Sequence, residues 1–321
     1  MPQREPHRNR REVSRRQLAM RTLAIGGGLV LTAATGPTAT AAAPARRHAP
    51  VLRHGSPRRA GLLAHHLTRL VEEARTFLGP SPDHPWYAGA VILAGRGDTV
   101  ALHEAIGHAV RYSGYDEDTD TGVELPPEQQ RPATPDTIYD LASVSKLFTS
   151  LLAVQQLERG RLRLEAPVAD YLPPFGAAGK QDITVRQLLT HTSGLAAWIP
   201  LYEEPDREAR LRRLWDEAPL DPPGTVYRYS DLNLITLQLV LEEITGQPLD
   251  VLLHRGITGP LGMTRTRYNP PASWRPHIAA TEDARPPWSG LERGLVWGEV
   301  HDENAYALGG VAGHAGVFSC A

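Results

Sequence analysis

Two β-rich runs around a tight turn, followed by almost nothing but helical patterning, set the architecture open to this chain. Residues 87–94 and 99–102 flank Gly95-Arg96-Gly97-Asp98, the composition of a hairpin. Ahead of them, Leu62, Leu63, Leu67, Leu70, Val71, Ala74 and Phe77 fall at helical spacing. Residues 113–136 are acidic, proline-rich and aperiodic and read as a loop. A short strand over 138–141 then feeds a helix carrying Val144, Leu147, Phe148, Leu151 and Leu152, which ends at Gly160. That stripe predicts a face buried firmly in the core. Further helices are expected over 185–190, 207–217, 232–244 and 249–255. The order predicts an α+β fold, an antiparallel sheet flanked by helices with an inserted helical region. With 321 residues, 41% of them hydrophobic, the chain can bury a sizeable core.

Lysine is scarce. Lys146 and Lys180 are the only two among 34 Lys plus Arg residues. Arginine keeps its proton, whereas a lysine can act as a proton acceptor once its pKa is lowered. Lys146 closes Ser143-Val144-Ser145-Lys146 at the head of a helix, one turn from Ser143 on the same face. The spacing lets a lysine take or orient the serine proton. A capping serine beside a solvated lysine is the plain alternative. Further on, a Pro222-Pro223-Gly224 turn leads through Tyr229 to Asp231, which is expected to cap an apolar helix. A tyrosine at such a corner, beside a lysine cation, can serve as a base; otherwise it is a packing aromatic.

The ends and the charge narrow the context. Residues 1–45 hold seven Arg against two Glu, so of the net charge of -2 about -7 belongs to the remainder. An acidic body argues against a nucleic-acid partner. Ser14-Arg15-Arg16-Gln17-Leu18, an apolar run over 22–35 and a small-residue stretch at 39–43 read as a twin-arginine signal, so export to the cell envelope or medium is expected. The apolar run is too short and glycine-rich for a stable membrane span. Residues 46–57 read as a linker and 58–321 as the functional domain. Cys320 is alone, so no internal disulfide is expected. His103 and His108, five apart, read as ordinary strand histidines, and consecutive His301-Asp302-Glu303-Asn304 as a loop bordering the cleft rather than a metal site. No G-x-S-x-G elbow is present, which sets aside an α/β-hydrolase.

Four stretches together resemble the class C β-lactamase and D-alanyl-D-alanine carboxypeptidase family of serine hydrolases, which also includes esterases. They are Leu141-Ala142-Ser143-Val144-Ser145-Lys146, the segment 183–195 with His191-Thr192-Ser193-Gly194, Pro223-Gly224-Thr225 with Tyr229-Ser230-Asp231, and Gly259-Pro260-Leu261-Gly262-Met263. The resemblance implies a β-lactamase/transpeptidase-like fold, with Ser143 as nucleophile, Lys146 polarising it and Tyr229 as base. Asp231 would bind substrate where the family usually has asparagine, and an ionised aspartate accepts hydrogen bonds but cannot donate them. His191 and Ser193 would belong to a structural turn. No metal or organic cofactor is implied, and the substrate would be a small molecule or a cell-wall peptide. His314-Ala315-Gly316 has the letters of the family's third motif, but its setting resembles a segment ahead of a further helix. The closing strands and the second oxyanion-hole N–H are then expected beyond Ala321. Two functions stay open: an exported hydrolase working through an acyl-enzyme, or a non-catalytic cell-wall-peptide-binding module on the same fold.

Overall fold

The computed structural model describes residues 52–79 and 86–321. The signal-like segment 1–45 and the first part of the expected linker lie outside them. The rest of that linker is not a connector. Within it β1 (Arg53–His54) pairs in parallel with residues 99–100, with Gly55 N–H donating to Val100 O at 3.0 Å. A two-residue strand is too short for alternation to reveal.

After α1 (Ala64–Thr76), the expected hairpin forms from β2 (Gly89–Arg96) and β3 (Thr99–Val110), antiparallel from Gly89↔Gly107 to Arg96↔Thr99. Gly97 takes φ 64° at the turn, a conformation that favours glycine. His103 and His108 lie on β3. The stretch expected as a loop contains a second hairpin, β4 (Tyr112–Asp116) with β5 (Thr121–Glu124), and β6 (Arg131–Pro132) pairs with β3. Neither short arm buries a continuous apolar face, so the hairpin leaves no alternation in the sequence. The main sheet runs β1-β3-β2 with β6 also against β3; it is mixed, because β1 is parallel. The outer edge of β2 has no strand partner among the described residues.

Beyond β7 (Tyr139–Asp140), one 3-10 turn (Ala142–Val144) leads into α2 (Ser145–Glu158). The helical region follows as α3 (Val185–Leu189), α4 (Arg207–Asp216), α5 (Asp231–Thr245) and α6 (Leu249–Leu253), close to the expected bounds. Thr184 and Gln187 form a reciprocal capping box that starts α3. The chain continues through β8 (Arg267–Tyr268), the hairpin β9 (Ala280–Ala284) and β10 (Gly294–Trp297), α7 (Glu303–Ala307) and β11 (Val317–Ser319). No helix among the described residues is long and apolar enough to cross a membrane.

The expected apolar stripe of α2 is split: Leu152 lies in the core and Phe148 packs against it, but the rest faces outward. Val144, Leu147, Leu151 and Val154 are exposed, Leu147 by 63%, while Ser145, Lys146, Thr149 and Gln156 are buried beside Leu152 and Ala153. Two apolar clusters make the interior. The larger joins Leu152 and Ala153 to Leu232, Ile235, Leu237 and Leu241 of α5, with Val317 of β11. The smaller gathers Ile138, Ile278, Val300 and Phe318. Successive side chains of a strand point to opposite faces, so β11 serves both clusters. It also pairs antiparallel with β7 and β8, which puts the turn after β7 at the seam.

Candidate active site

Ser143 is exposed in the 3-10 turn, not in the first α-helical turn. Ala142 ahead of it adopts φ 46°, a left-handed conformation costly for a residue with a Cβ. The turn is tied down on both sides. Leu141 N–H donates to Val317 O at 2.9 Å, and Ala142 N–H donates to Asp140 Oδ1 at 2.9 Å. The other Asp140 oxygen accepts from the backbone N–H of His301 at 3.0 Å and lies 3.2 Å from its Nδ1. That hydrogen bond raises the His301 pKa above its ordinary value, against the opposing effect of burial.

Lys146 is buried, 6% exposed, and its ammonium is surrounded by one oxygen from its own turn and two from distant segments. Nζ donates to Ser143 Oγ at 2.8 Å and to the backbone O of His314 at 3.2 Å, and pairs with Asp231 Oδ1 at 2.7 Å. An ammonium carries three protons, and three oxygens stand ready for them. The i, i+3 contact expected from the sequence is therefore formed. Asp231 departs from its expected place: Ser230 is the N-cap, and Asp231 is the first residue of α5, turned onto Lys146. The helix N-terminus favours its negative charge there.

Tyr229 is 46% exposed and meets Lys146 through its ring, the ammonium lying 4.7 Å from the ring centre. This is a cation–π contact, made through the ring. Its backbone is held by the 191–197 loop. Arg228 N–H donates to His191 O at 2.8 Å, Ser230 Oγ to Ala196 O at 2.6 Å, and Asp231 N–H to Ala197 O at 2.9 Å. Gly194 takes φ 81° with Asp221 O only 2.0 Å from where a Cβ would stand, so no other residue fits without movement. The turn reading of His191 and Ser193 thus acquires a purpose: the turn is the bed on which Tyr229 and Asp231 rest.

His314 and the 301–304 stretch complete the surroundings, together with Asp140, which the sequence reading did not single out. His314 is buried, 1% exposed, and its Nε2 lies 2.8 Å from Asp302 Oδ1. It precedes β11 in the small sheet and does not stand on the β2–β3 sheet. Burial alone would raise the Asp302 pKa, but the His314 hydrogen bond and charge, the Ala305 N–H and His301 outweigh it and hold it at about 2. Asp231, Asp302 and His314 offer ligand atoms within 4.8 Å of one another, a donor set that suits a divalent cation. Here Lys146 already pairs with Asp231, and His314 with Asp302. The 301–304 stretch is not all loop, because Asp302 caps α7 and Glu303 and Asn304 belong to it; His301 turns to Asp140, Glu303 to Ser289 and Asn304 to Ile199 O. The signal for Asp140 was its place two residues before a turn, where aspartate accepts backbone N–H groups.

The beta-lactamase family profile matches residues 68–321, the span that contains Ser143, Lys146, Tyr229 and Asp231. This chain belongs to that family. A protein of Escherichia coli K12 named "Putative D-alanyl-D-alanine carboxypeptidase" is 32% identical over 296 residues, covering 84% of this chain and 64% of its own length. A relative of the same name from Salmonella paratyphi B is 31% identical, covering 73% and 57%. The chain thus spans less than two thirds of the length of these relatives. Among solved structures, a class C beta lactamase from Rhodobacter sphaeroides superposes with a TM-score of 0.57 at 24% identity, over 80% of this chain and 61% of that one. The hydrolase EstCE1, described as having promiscuous acyltransferase activity, gives 0.59 at 24% identity over 80% and 70%. These likenesses establish the β-lactamase/transpeptidase-like fold.

Proposed function

We propose that this family member is an exported serine hydrolase that works through an acyl-enzyme on an amide, peptide or ester bond, of the carboxypeptidase or esterase type. The carrying observation is the 2.8 Å contact from the buried Lys146 ammonium to the exposed Ser143 hydroxyl. Ser143 Oγ forms the bond to the substrate carbonyl carbon, and its proton passes to the Tyr229 oxygen, which enters the step as the phenolate beside the Lys146 ammonium. That proton then goes to the leaving amine or alkoxide as its bond to the carbonyl breaks. Water releases the acyl group in a second addition. The Ser143 backbone N–H contributes to stabilising the oxyanion. One oxygen of Asp231 is spent on Lys146, and an aspartate cannot donate to a substrate carbonyl; both features support esters and small acyl donors over efficient β-lactam turnover. The twin-arginine pattern at 14–18 supports export.

Intact mass spectrometry after incubation with a labelled penicillin and, separately, an activated ester tests this reading. A one-to-one adduct on the Ser143 peptide, absent from Ser143→Ala, is expected. An adduct that persists in Ser143→Ala removes Ser143 as nucleophile. No adduct from either reagent favours the binding-module reading.

A further inference from the structure

The His191 imidazole lies inside a chain of hydrogen bonds whose direction can be read from one end. Leu195 N–H donates to Ser193 Oγ at 3.1 Å, and that hydroxyl donates to Asn233 Oδ1 at 2.6 Å. With its oxygen so engaged, the Asn233 amide presents Nδ2–H to His191 Nδ1 at 3.1 Å. Ser230 N–H donates to the same Nδ1 at 3.0 Å. Two donors converge on one ring nitrogen, which must then be the bare one, so the ring proton belongs on Nε2. Ser230 directly follows Tyr229, and the two rings lie 4.7 Å apart at 34°.

We propose that His191 is a positioning residue for Tyr229, serving only as the neutral imidazole with its proton on Nε2. This rests on the acyl-transfer reading of Ser143, Lys146 and Tyr229. A second ring proton would set an N–H against two N–H donors, break both contacts and free the Ser230 backbone. Tyr229 would lose its seat beside Lys146 while the fold persisted. Charged and titratable neighbours reach His191 from each packed element. Lys146 comes from α2, Asp231 from the start of α5, and Tyr227 and Tyr229 from the segment between, with neutral Asn233 on α5. Burial and then the Lys146 charge lower the His191 pKa, and Asp231 acts against them. The neutral form therefore holds through neutral pH and gives way in acid.

Asparagine is the informative replacement. It tolerates the φ of 56° that His191 adopts and offers an oxygen near the Nδ1 position, yet it does not titrate. The experiment is the pH–rate profile of Ser143 acylation by p-nitrophenyl acetate in wild type, His191→Asn and His191→Ala, each checked by circular dichroism. The wild type should lose acylation in acid with a single titration. His191→Asn should keep the neutral-pH rate within about threefold and lose that acid limb, while His191→Ala should fall about tenfold, the worth of roughly one or two hydrogen bonds. An acid limb unchanged in His191→Asn, or a wild-type profile in His191→Ala, overturns the proposal. Long-range proton–nitrogen spectra of the unreacted wild type should show Nε2–H, and an Nδ1–H pattern overturns it whatever the rates. A wild type that never acylates at Ser143 fails the underlying reading instead, and the spectra still judge the tautomer.

Discussion

Both lysines of this chain are buried, and each ammonium ends among oxygens arranged for a compact donor. Around Lys146 these are Ser143 Oγ, His314 O and an Asp231 carboxylate oxygen. A planar guanidinium cannot reach all three from one point. Lys146→Arg is therefore expected to abolish acylation while the circular dichroism spectrum stays native; near-wild-type labelling of Ser143 would reduce Lys146 to a charge. Lys180 donates to Trp215 O and Glu217 O, both at 2.6 Å, where α4 ends. Burial lowers its pKa, with Asp216 and Glu217 resisting. Lys180→Met leaves two carbonyls without a donor and should cost about 2–3 kcal/mol in urea unfolding, with the acylation rate of the folded protein unchanged. A loss below about 0.5 kcal/mol would show that those carbonyls find other donors. Composition picked out both lysines alike. Only the serine three residues earlier separated the site lysine from the structural one.

Among the elements, the sequence showed where helices run better than which side they turn inward. Periodicity located α2, but the stripe of Val144, Leu147 and Leu151 lies outside and the buried face is largely polar. The reason is local to the site. Ser145 Oγ accepts from Val317 N–H at 3.0 Å, and Thr149 Oγ1 donates to Gly313 O at 2.8 Å, so α2 spends its inner face on the backbone around β11. Hydrophobicity alone cannot foresee a helix face chosen for its hydroxyls. The four-stretch resemblance singled out Ser143, Lys146, Tyr229 and Asp231, which the fold brings together, because each stands beside a turn or helix start that leaves letters. Asp302 acts through a partner 12 residues away, and Asn233 and Asp140 through partners 40 and 161 residues away, and no local pattern records such pairings. The Asp302–His314 pair, one member on each side of α7, makes a pH prediction. The Asp302 pKa is depressed to about 2 from 3.8, so its contribution is present above about pH 4 and is lost as pH falls toward 2. The shift corresponds to about 2 kcal/mol. Asp302→Asn should lower stability by that order at pH 6 and converge on wild type near pH 2 in urea titrations; a difference independent of pH would contradict the charge pairing.

For the whole molecule, two open apolar surfaces matter most. The eight residues of β2 hold no charge before Arg96 and have no outer strand partner among the described residues, and the α2 stripe is exposed. Unpaired edges and apolar patches of this kind promote self-association. The 321-residue chain should scatter light increasingly with concentration, and Leu93→Lys with Leu147→Glu should suppress this without lowering the melting temperature. Equal scattering in the double variant would clear both surfaces. The small sheet carries a different consequence, for timing. Lys146 meets its third oxygen at His314, 168 residues further along, just before β11 joins β7. Contacts so distant in sequence close late, after the local helices have formed. During synthesis the turn carrying Ser143 therefore exists long before the oxygens around Lys146 are complete. Until residues 314–319 emerge and dock, the Lys146 ammonium lacks the His314 carbonyl.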